Sequence, residues 1–273
     1  MRKSLLFVWA CMGLVCLVSA CKTSVKSKEW KLVWVENFDQ KNSFDESVWT
    51  KIPRGTSDWN NYMSYYDSCY AMQDGNLILR GIANHTQKND TAPYLTGGVY
   101  TKGKKLFTGG RVEVCARLQA AKGAWPAIWM LPEKAEWPKG GEIDIMEAFN
   151  TRSDIQSTIH YPKWNGADQY VYTNRNISNK TEWHTYGCYR DGSICAFYID
   201  GKLLTSYGTW TNKFVRITDF AETYSTADLT TGNYAGQRSV LNDDYYLLFN
   251  VACGGNLAQG NPPTNSDWSA TME

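Results

Sequence analysis

The sequence predicts an all-β fold, an antiparallel sandwich or jelly roll. Three observations predict it. No stretch keeps a helical apolar period across several turns. Short alternating runs, rich in β-branched and aromatic residues, take its place. Asp-Gly dipeptides, which favour tight turns, punctuate those runs.

In chain order, Leu77 to Arg80 reads as a strand leaving the turn Asp74-Gly75. Arg111 to Leu118 and Ile155 to His160 follow. Ala196 to Ile199 lies between the turns Asp191-Gly192 and Asp200-Gly201, and Tyr245 to Val251 ends the series. A two-residue turn at Asp191-Gly192 would set Cys188 opposite Cys195, with Cα atoms about 5.5 Å apart. That spacing permits a disulfide, but direct cross-strand bridges are strained, so free thiols are expected. Thr209 to Asn242 is polar and irregular, and reads as a long loop or an insertion.

The chain opens with an export signal. Arg2 and Lys3 precede an apolar run from Leu5 to Val18, followed by Ser19-Ala20-Cys21. A basic start, an apolar core and small residues at the end describe a cleaved leader. The run is shorter than the roughly 20 residues that span a bilayer. Cys21 directly after the small residues resembles a bacterial lipobox, in which that cysteine becomes the lipidated N-terminus. Residues 1–20 are then a lipoprotein signal peptide and 21–30 a polar tether. Residues 31–273 are expected to form one domain, a length that a single β-sandwich can reach. The expected location is the bacterial cell envelope, lipid-anchored, in an outer membrane and periplasmic or surface-facing.

Composition narrows the partners. The net charge is +1, with 28 basic and 27 acidic residues interspersed, so no basic stripe points to nucleic acid. Twelve tryptophans suit either a sandwich core or a cleft that stacks sugar rings. Of the eight cysteines, those at 11, 16 and 21 belong to the leader and anchor. The other five follow no repeating spacing, so no disulfide framework is implied. Three histidines are too scattered for a zinc motif, and no metal site is expected from them.

The chemistry lies in Gly140-Gly141-Glu142-Ile143-Asp144-Ile145-Met146-Glu147. Glu142 and Asp144 alternate with isoleucines and share one strand face. Glu147 has the wrong parity, which a one-residue bulge near Met146 would restore. Folding has no use for three aligned carboxyl groups, because burying them is costly. Hydrolysis of a glycosidic bond with retention has a use for two of them, one as nucleophile and one as proton donor. An aspartate between them could bond the nucleophile, and its charge could keep the donor protonated.

Around this row lie Trp125-Pro126-Ala127-Ile128-Trp129-Met130-Leu131-Pro132, then Trp137-Pro138, then Ser157-Thr158-Ile159-His160. Together they resemble glycoside hydrolase family 16, the laminarinase and lichenase family, in its bulged E-x-D-x-x-E form. The likeness extends from Val33-Trp34-Val35-Glu36-Asn37-Phe38 through Thr108-Gly109-Gly110-Arg111-Val112-Glu113 to Asn250-Val251-Ala252-Cys253-Gly254-Gly255-Asn256. It implies a jelly roll with an open concave cleft and a retaining, endo-acting hydrolase of β-1,3- or β-1,3-1,4-glucan. By matching positions, Glu142 would be the nucleophile, Asp144 its assistant and Glu147 the acid/base. Trp125 and Trp129 would stack sugars, Asn61 would bond a glycone sugar, and His160 would sit beside the row. Trp137 and Asn250 are further candidates for substrate contact. No cofactor is required, and a structural calcium near Glu36 is the metal that the likeness allows.

Three departures bear on the substrate and the fold. Cys115 stands where the family often has an arginine, and Leu257 where many laminarinases have a tryptophan. The sequence ends at Met272-Glu273, where a last strand similar to V-D-Y-V-R-V-Y is expected, so the domain is expected to lack it. An alternative sugar is galactose, in host O-glycans or a galactan, with Cys115 and the 209–242 loop making room for its axial hydroxyl. A third reading is a surface glycan-binding protein without catalysis, against which the intact acid triad argues.

Overall fold

The computed structural model describes residues 30–40, 42–163, 165–210, 213–217, 240–263 and 268–273. Cys21, the apolar leader and most of the 209–242 stretch lie outside these residues. In chain order the strands are β1 (Thr50–Lys51), β2 (Tyr70–Gln73), β3 (Asn76–Ala83), β4 (Tyr94–Thr96), β5 (Gly98–Tyr100), β6 (Gly110–Ala116), β7 (Leu118–Gln119), β8 (Ala124–Pro132) and β9 (Glu142–Glu147). They continue with β10 (Asp154–Pro162), β11 (Asp168–Asn176), β12 (His184–Arg190), β13 (Ile194–Ile199), β14 (Lys202–Trp210), β15 (Lys213–Arg216), β16 (Tyr245–Cys253) and β17 (Ser269–Met272). The only helical turns among the described residues are 3₁₀ turns at Asp67–Cys69 and Val240–Asn242.

The pairings are antiparallel and form two layers. One layer is a seven-stranded sheet ordered β1-β5-β16-β8-β9-β10-β11. The other is built from β15-β14-β13-β12-β6 and from β2-β3-β17-β7. Between them lies the core, where Ile128, Met130, Ile143 and Ile159 join Leu79, Tyr186 and Phe197. Burying apolar surface at about 25 cal/mol per Å² makes this core the main stabilising term. The acid row lies on the opposite face of the seven-stranded sheet, above a smaller apolar cluster of Ile52, Met63, Ala127, Trp129, Tyr246 and Leu248.

Two Asp-Gly turns behave as expected. Asp74 and Gly75 have φ of 54° and 76°, Asp200 and Gly201 have 51° and 72°, and each pair joins its strands through two residues. Positive φ at both central positions is what a twisted hairpin demands. Asp191-Gly192 departs from this. Arg190 pairs with Cys195 and the Asp191 N–H bonds the Ile194 carbonyl, so three residues, 191–193, join the strands, and Cys188 faces Phe197 rather than Cys195. The cause is Asp191, whose Oδ1 accepts from the backbone N–H groups of Ser193 and Ile194 and widens the turn. Cys188 and Cys195 are diagonal neighbours with sulfurs 3.5 Å apart, both free thiols.

Met272 pairs with Leu79 on one side and Leu118 on the other. Beyond it, between β3 and β6, runs a groove lined by Phe38, Leu77, Val114, Phe249 and Met272. It belongs to the layer opposite the acid row. Cys115 also sits there, exposed on β6 and paired with Thr185 of β12. That position corrects the expectation that Cys115 could shape a sugar pocket.

Candidate active site

The site is built on β9. Gly141 opens the strand with φ of 78°, and an added Cβ would meet Val240 and the Tyr245 hydroxyl, so glycine is required there. Against β10, Glu147 pairs with Gln156 and Asp144 with Thr158, so β9 holds one residue more than its partner. Against β8, Met146 pairs with Ile128 and Asp144 with Trp129, which leaves Ile145 as the extra residue. The Ser157 hydroxyl satisfies the Ile145 carbonyl at 2.8 Å. Glu142, Asp144 and Glu147 thereby share one face, while Ile143, Ile145 and Met146 enter the core.

Each acid has a distinct environment. Glu147 is buried; its Oε1 accepts the Trp125 indole N–H at 3.1 Å and its Oε2 the Thr158 hydroxyl at 3.3 Å. Burial, with the Glu142 charge second, pushes its carboxyl up to about 8. Asp144 is 2% exposed, and burial followed by the neighbouring Glu142 and Glu147 holds it well above the usual carboxylate range. Burial also raises Glu142, but the His160 ring and hydrogen bonds from Asp144 and Trp137 oppose it. Asp144 Oδ2 is buried without a hydrogen-bond partner. For Glu147 itself, burial is the first cause of the rise and the Glu142 charge the second.

His160, on β10, lies beside the row. Its Nε2 is 3.6 Å from Asp144 Oδ2, and its Nδ1 is 3.0 Å from Asp168 Oδ2 on β11. Sequence reasoning missed Asp168, which carries no local motif; its partnership arises from the pairing of β10 with β11. Thr158 was legible as part of a strand, but not as a partner of Glu147. Trp137 is 52% exposed and stands 6.2 Å from the His160 ring.

On the other side of the row the candidates divide. Trp125 is half-buried and aims at Glu147. Trp129 is 5% exposed, with Trp59 edge-on at 4.8 Å and its N–H given to Asn250 Oδ1 at 2.7 Å. It is thus part of the cleft floor, not an open stacking face as expected. Asn250 is 1% exposed and holds Trp129, so the expected direct sugar contact is corrected to a positioning one. Asn61 is half-buried, and its Oδ1 is buried without a hydrogen-bond partner, an acceptor left for a ligand hydroxyl. Leu257 is 54% exposed in the loop after β16.

Neither metal reading fits well. Glu36 accepts from Phe38 N and Trp49 Nε1, and no cluster of acids surrounds it among the described residues. Calcium needs six to eight oxygens, so this donor set does not fit it. Glu142, Asp144 and His160 each place one ligand-type atom within 4.8 Å of the others. A cation there would compete with the proton between the two acids.

Residues 71–215 match a catalytic domain described as "XgeA-like, catalytic GH16 domain". Among curated proteins, the chain is 36% identical over 191 residues to a keratan-sulfate endo-1,4-beta-galactosidase of Sphingobacterium multivorum. That match covers 68% of this chain and 45% of the relative, so the chain spans less than half of that protein's length. It is 28% identical over 266 residues to a beta-glucanase of Rhodothermus marinus, covering 93% of this chain and 86% of that one. The solved laminarinase of Rhodothermus marinus superposes with a TM-score of 0.69 at 25% identity, covering 89% of this chain and 94% of that one. With a family match across more than half of the sequence, a jelly roll of the same shape and the bulged acid row on β9, the chain belongs to glycoside hydrolase family 16.

Proposed function

We propose that this protein is a retaining, endo-acting hydrolase of a β-linked glucan. The observation that carries the reading is the acid row: a buried Glu147 raised to about 8 lies on the same face as Glu142. In this reading Glu142 attacks the anomeric carbon and forms a glycosyl ester. Glu147 gives its proton to the leaving oxygen, then takes one from the water that opens the ester. Asp144 directs its proton at Glu142, and His160 borders both. Trp125, Trp137 and Asn61 contact the sugars, while Asn250 holds Trp129 under them. The cleft binds a polysaccharide or oligosaccharide and needs no cofactor.

A second substrate reading has its own support. The galactosidase relative is the more similar of the two curated proteins compared, and Leu257 takes the place of an aromatic residue. This reading keeps the mechanism and changes the sugar to galactose. We further propose that Cys21 carries lipid and tethers the domain to a membrane of the bacterial envelope. The basic, apolar and small-residue order before Cys21 supports this.

The test is a reducing-end assay on laminarin, mixed-linkage glucan, galactan and mucin-type glycans. Oligosaccharides released from the first two support the leading reading, and release from the last two alone selects galactose. No release from any, with retained binding, would leave a glycan-binding protein.

A further inference from the structure

The outermost strand beside the acid row carries aromatic rings that the mechanism does not use. On β11, Val171 packs against the core, while Tyr170 and Tyr172 point to the acid-row face. They are 57% and 53% exposed. Tyr170 pairs with His160 and Tyr172 with Thr158, the two β10 residues next to the acids. The rings form a continuous series: Trp137 to His160 at 6.2 Å, His160 to Tyr170 at 5.4 Å, and Tyr170 to Tyr172 at 6.0 Å. Asp168, two residues before Tyr170, fixes the His160 ring in that series.

An edge strand that exposes aromatic rings is a liability, which proteins commonly blunt with charge. Half-exposed rings beside a cleft are instead suited to stacking on an apolar ligand face. Two strand spacings place β11 about 10 Å from β9, beyond the sugar at the cleaved bond. The ends of the cleft differ. Toward β8 the sheet continues into β16 and β5, and Trp59 packs edge-on against Trp129. Toward β11 the sheet ends among the described residues. During turnover one half of the substrate stays as an ester while the other departs, and the open end suits the departing half.

We infer that Tyr170 and Tyr172 form a stacking floor for pyranose rings of the leaving-group half of the substrate. This rests on the proposed hydrolase reading and adds to it where the departing sugars bind. The same floor would receive a sugar acceptor that attacks the ester in place of water. The acceptor hydroxyl then loses its proton to Glu147, its oxygen bonds the anomeric carbon, and Glu142 leaves as carboxylate.

The experiment compares Tyr170→Ala, Tyr172→Ala and the corresponding Phe variants with wild type. Three rates are read: polymer hydrolysis, hydrolysis of laminaritriosyl β-fluoride (or the fluoride of a galactan trisaccharide if galactan is cleaved), and transfer to an added oligosaccharide. Fluoride is a leaving group with no sugar to stack. Each Ala variant is expected to lose roughly 3- to 10-fold in polymer kcat/KM and to need that much more acceptor for half-maximal transfer. Fluoride kcat/KM is expected to fall by less, and the Phe variants to retain polymer activity. Equal losses on fluoride and polymer would overturn the inference, because the tyrosines would then act through His160. Unchanged polymer and acceptor behaviour would also overturn it. A wild type inert to polymer and fluoride alike would instead overturn the hydrolase reading, and the inference with it.

Discussion

If Glu147 is the proton donor, its hydrogen bond from Trp125 should set the alkaline limit of activity. The bond is 3.1 Å long and favours the ionised carboxylate, which lowers the pKa that burial raises. Hydrogen bonds to charged groups contribute about 1.5–3 kcal/mol. Part of this one survives when Glu147 is neutral, so about 1.4 kcal/mol, or one pKa unit, is a reasonable difference. Trp125→Phe keeps an apolar ring and removes the donor. Its alkaline limb in kcat/KM should therefore move upward from the neighbourhood of 8 by about one unit. The assay is polymer hydrolysis across the pH range, with a dinitrophenyl glycoside as control because its leaving group needs little protonation. Loss of a stacking face would lower the whole curve without moving its midpoint. A limb that stayed in place or moved downward would refute the argument, as would one that persisted unchanged with the control substrate.

Other consequences follow from the same groups. Between the ordinary carboxylate value of 4.5 and about 8, the folded protein holds a Glu147 proton that the unfolded chain has lost. Stability therefore falls as pH rises through that window and levels off above it. Glu147→Gln should flatten this fall and raise Tm at alkaline pH, by about 2–4 °C for each kcal/mol recovered; equal Tm curves for variant and wild type would contradict it. With an activated substrate and azide, Glu147→Ala should yield a β-glycosyl azide and Glu142→Ala the α-azide, and reversed products by NMR would exchange the two roles. Asn250→Ala should leave the buried Trp129 N–H unpaired, costing about 1–3 kcal/mol in denaturant unfolding and raising KM; unchanged stability would mean that the indole is held by packing alone. Changing Cys21 to Ser should move the protein from the membrane to the soluble fraction, and a wild type already soluble would dismiss the anchor.

Much of the fold was legible because strands declare themselves locally. The β-branched and aromatic runs in β3, β10, β13 and β16 needed no partner to be seen, and two Asp-Gly turns have the φ values that their sequence favours. The third turn failed because its aspartate had another use: it bonds Ser193 and Ile194 and lengthens the loop. The bulge was legible because three acids with broken parity make little sense on a flat strand. Trp129 was legible by parity but not by depth. Its indole is covered by Trp59 and held by Asn250 of the neighbouring strand β16, which is distant in sequence. Asp168 and the tyrosines of β11 were missed for a related reason. Their partners are set by register with β10, and a register is a property of two strands together.

That register also explains how folding tolerates the row. Three buried carboxylates in line would repel one another and lack solvation. The environments divide their protons instead. Burial and the Glu142 charge raise Glu147 to about 8, while burial and both flanking glutamates raise Asp144 well above the usual carboxylate range. Glu142 pairs with His160 across the strands, and His160, Asp144 and Trp137 oppose its rise. Asp168, by holding His160 at 3.0 Å, fixes the ring on which that arrangement depends. In the proposed mechanism Glu147, raised to about 8, is the residue that donates, and Glu142 is the acid whose rise is opposed by His160, Asp144 and Trp137. The distribution that lowers the cost of folding is thus the resting state that a retaining mechanism requires.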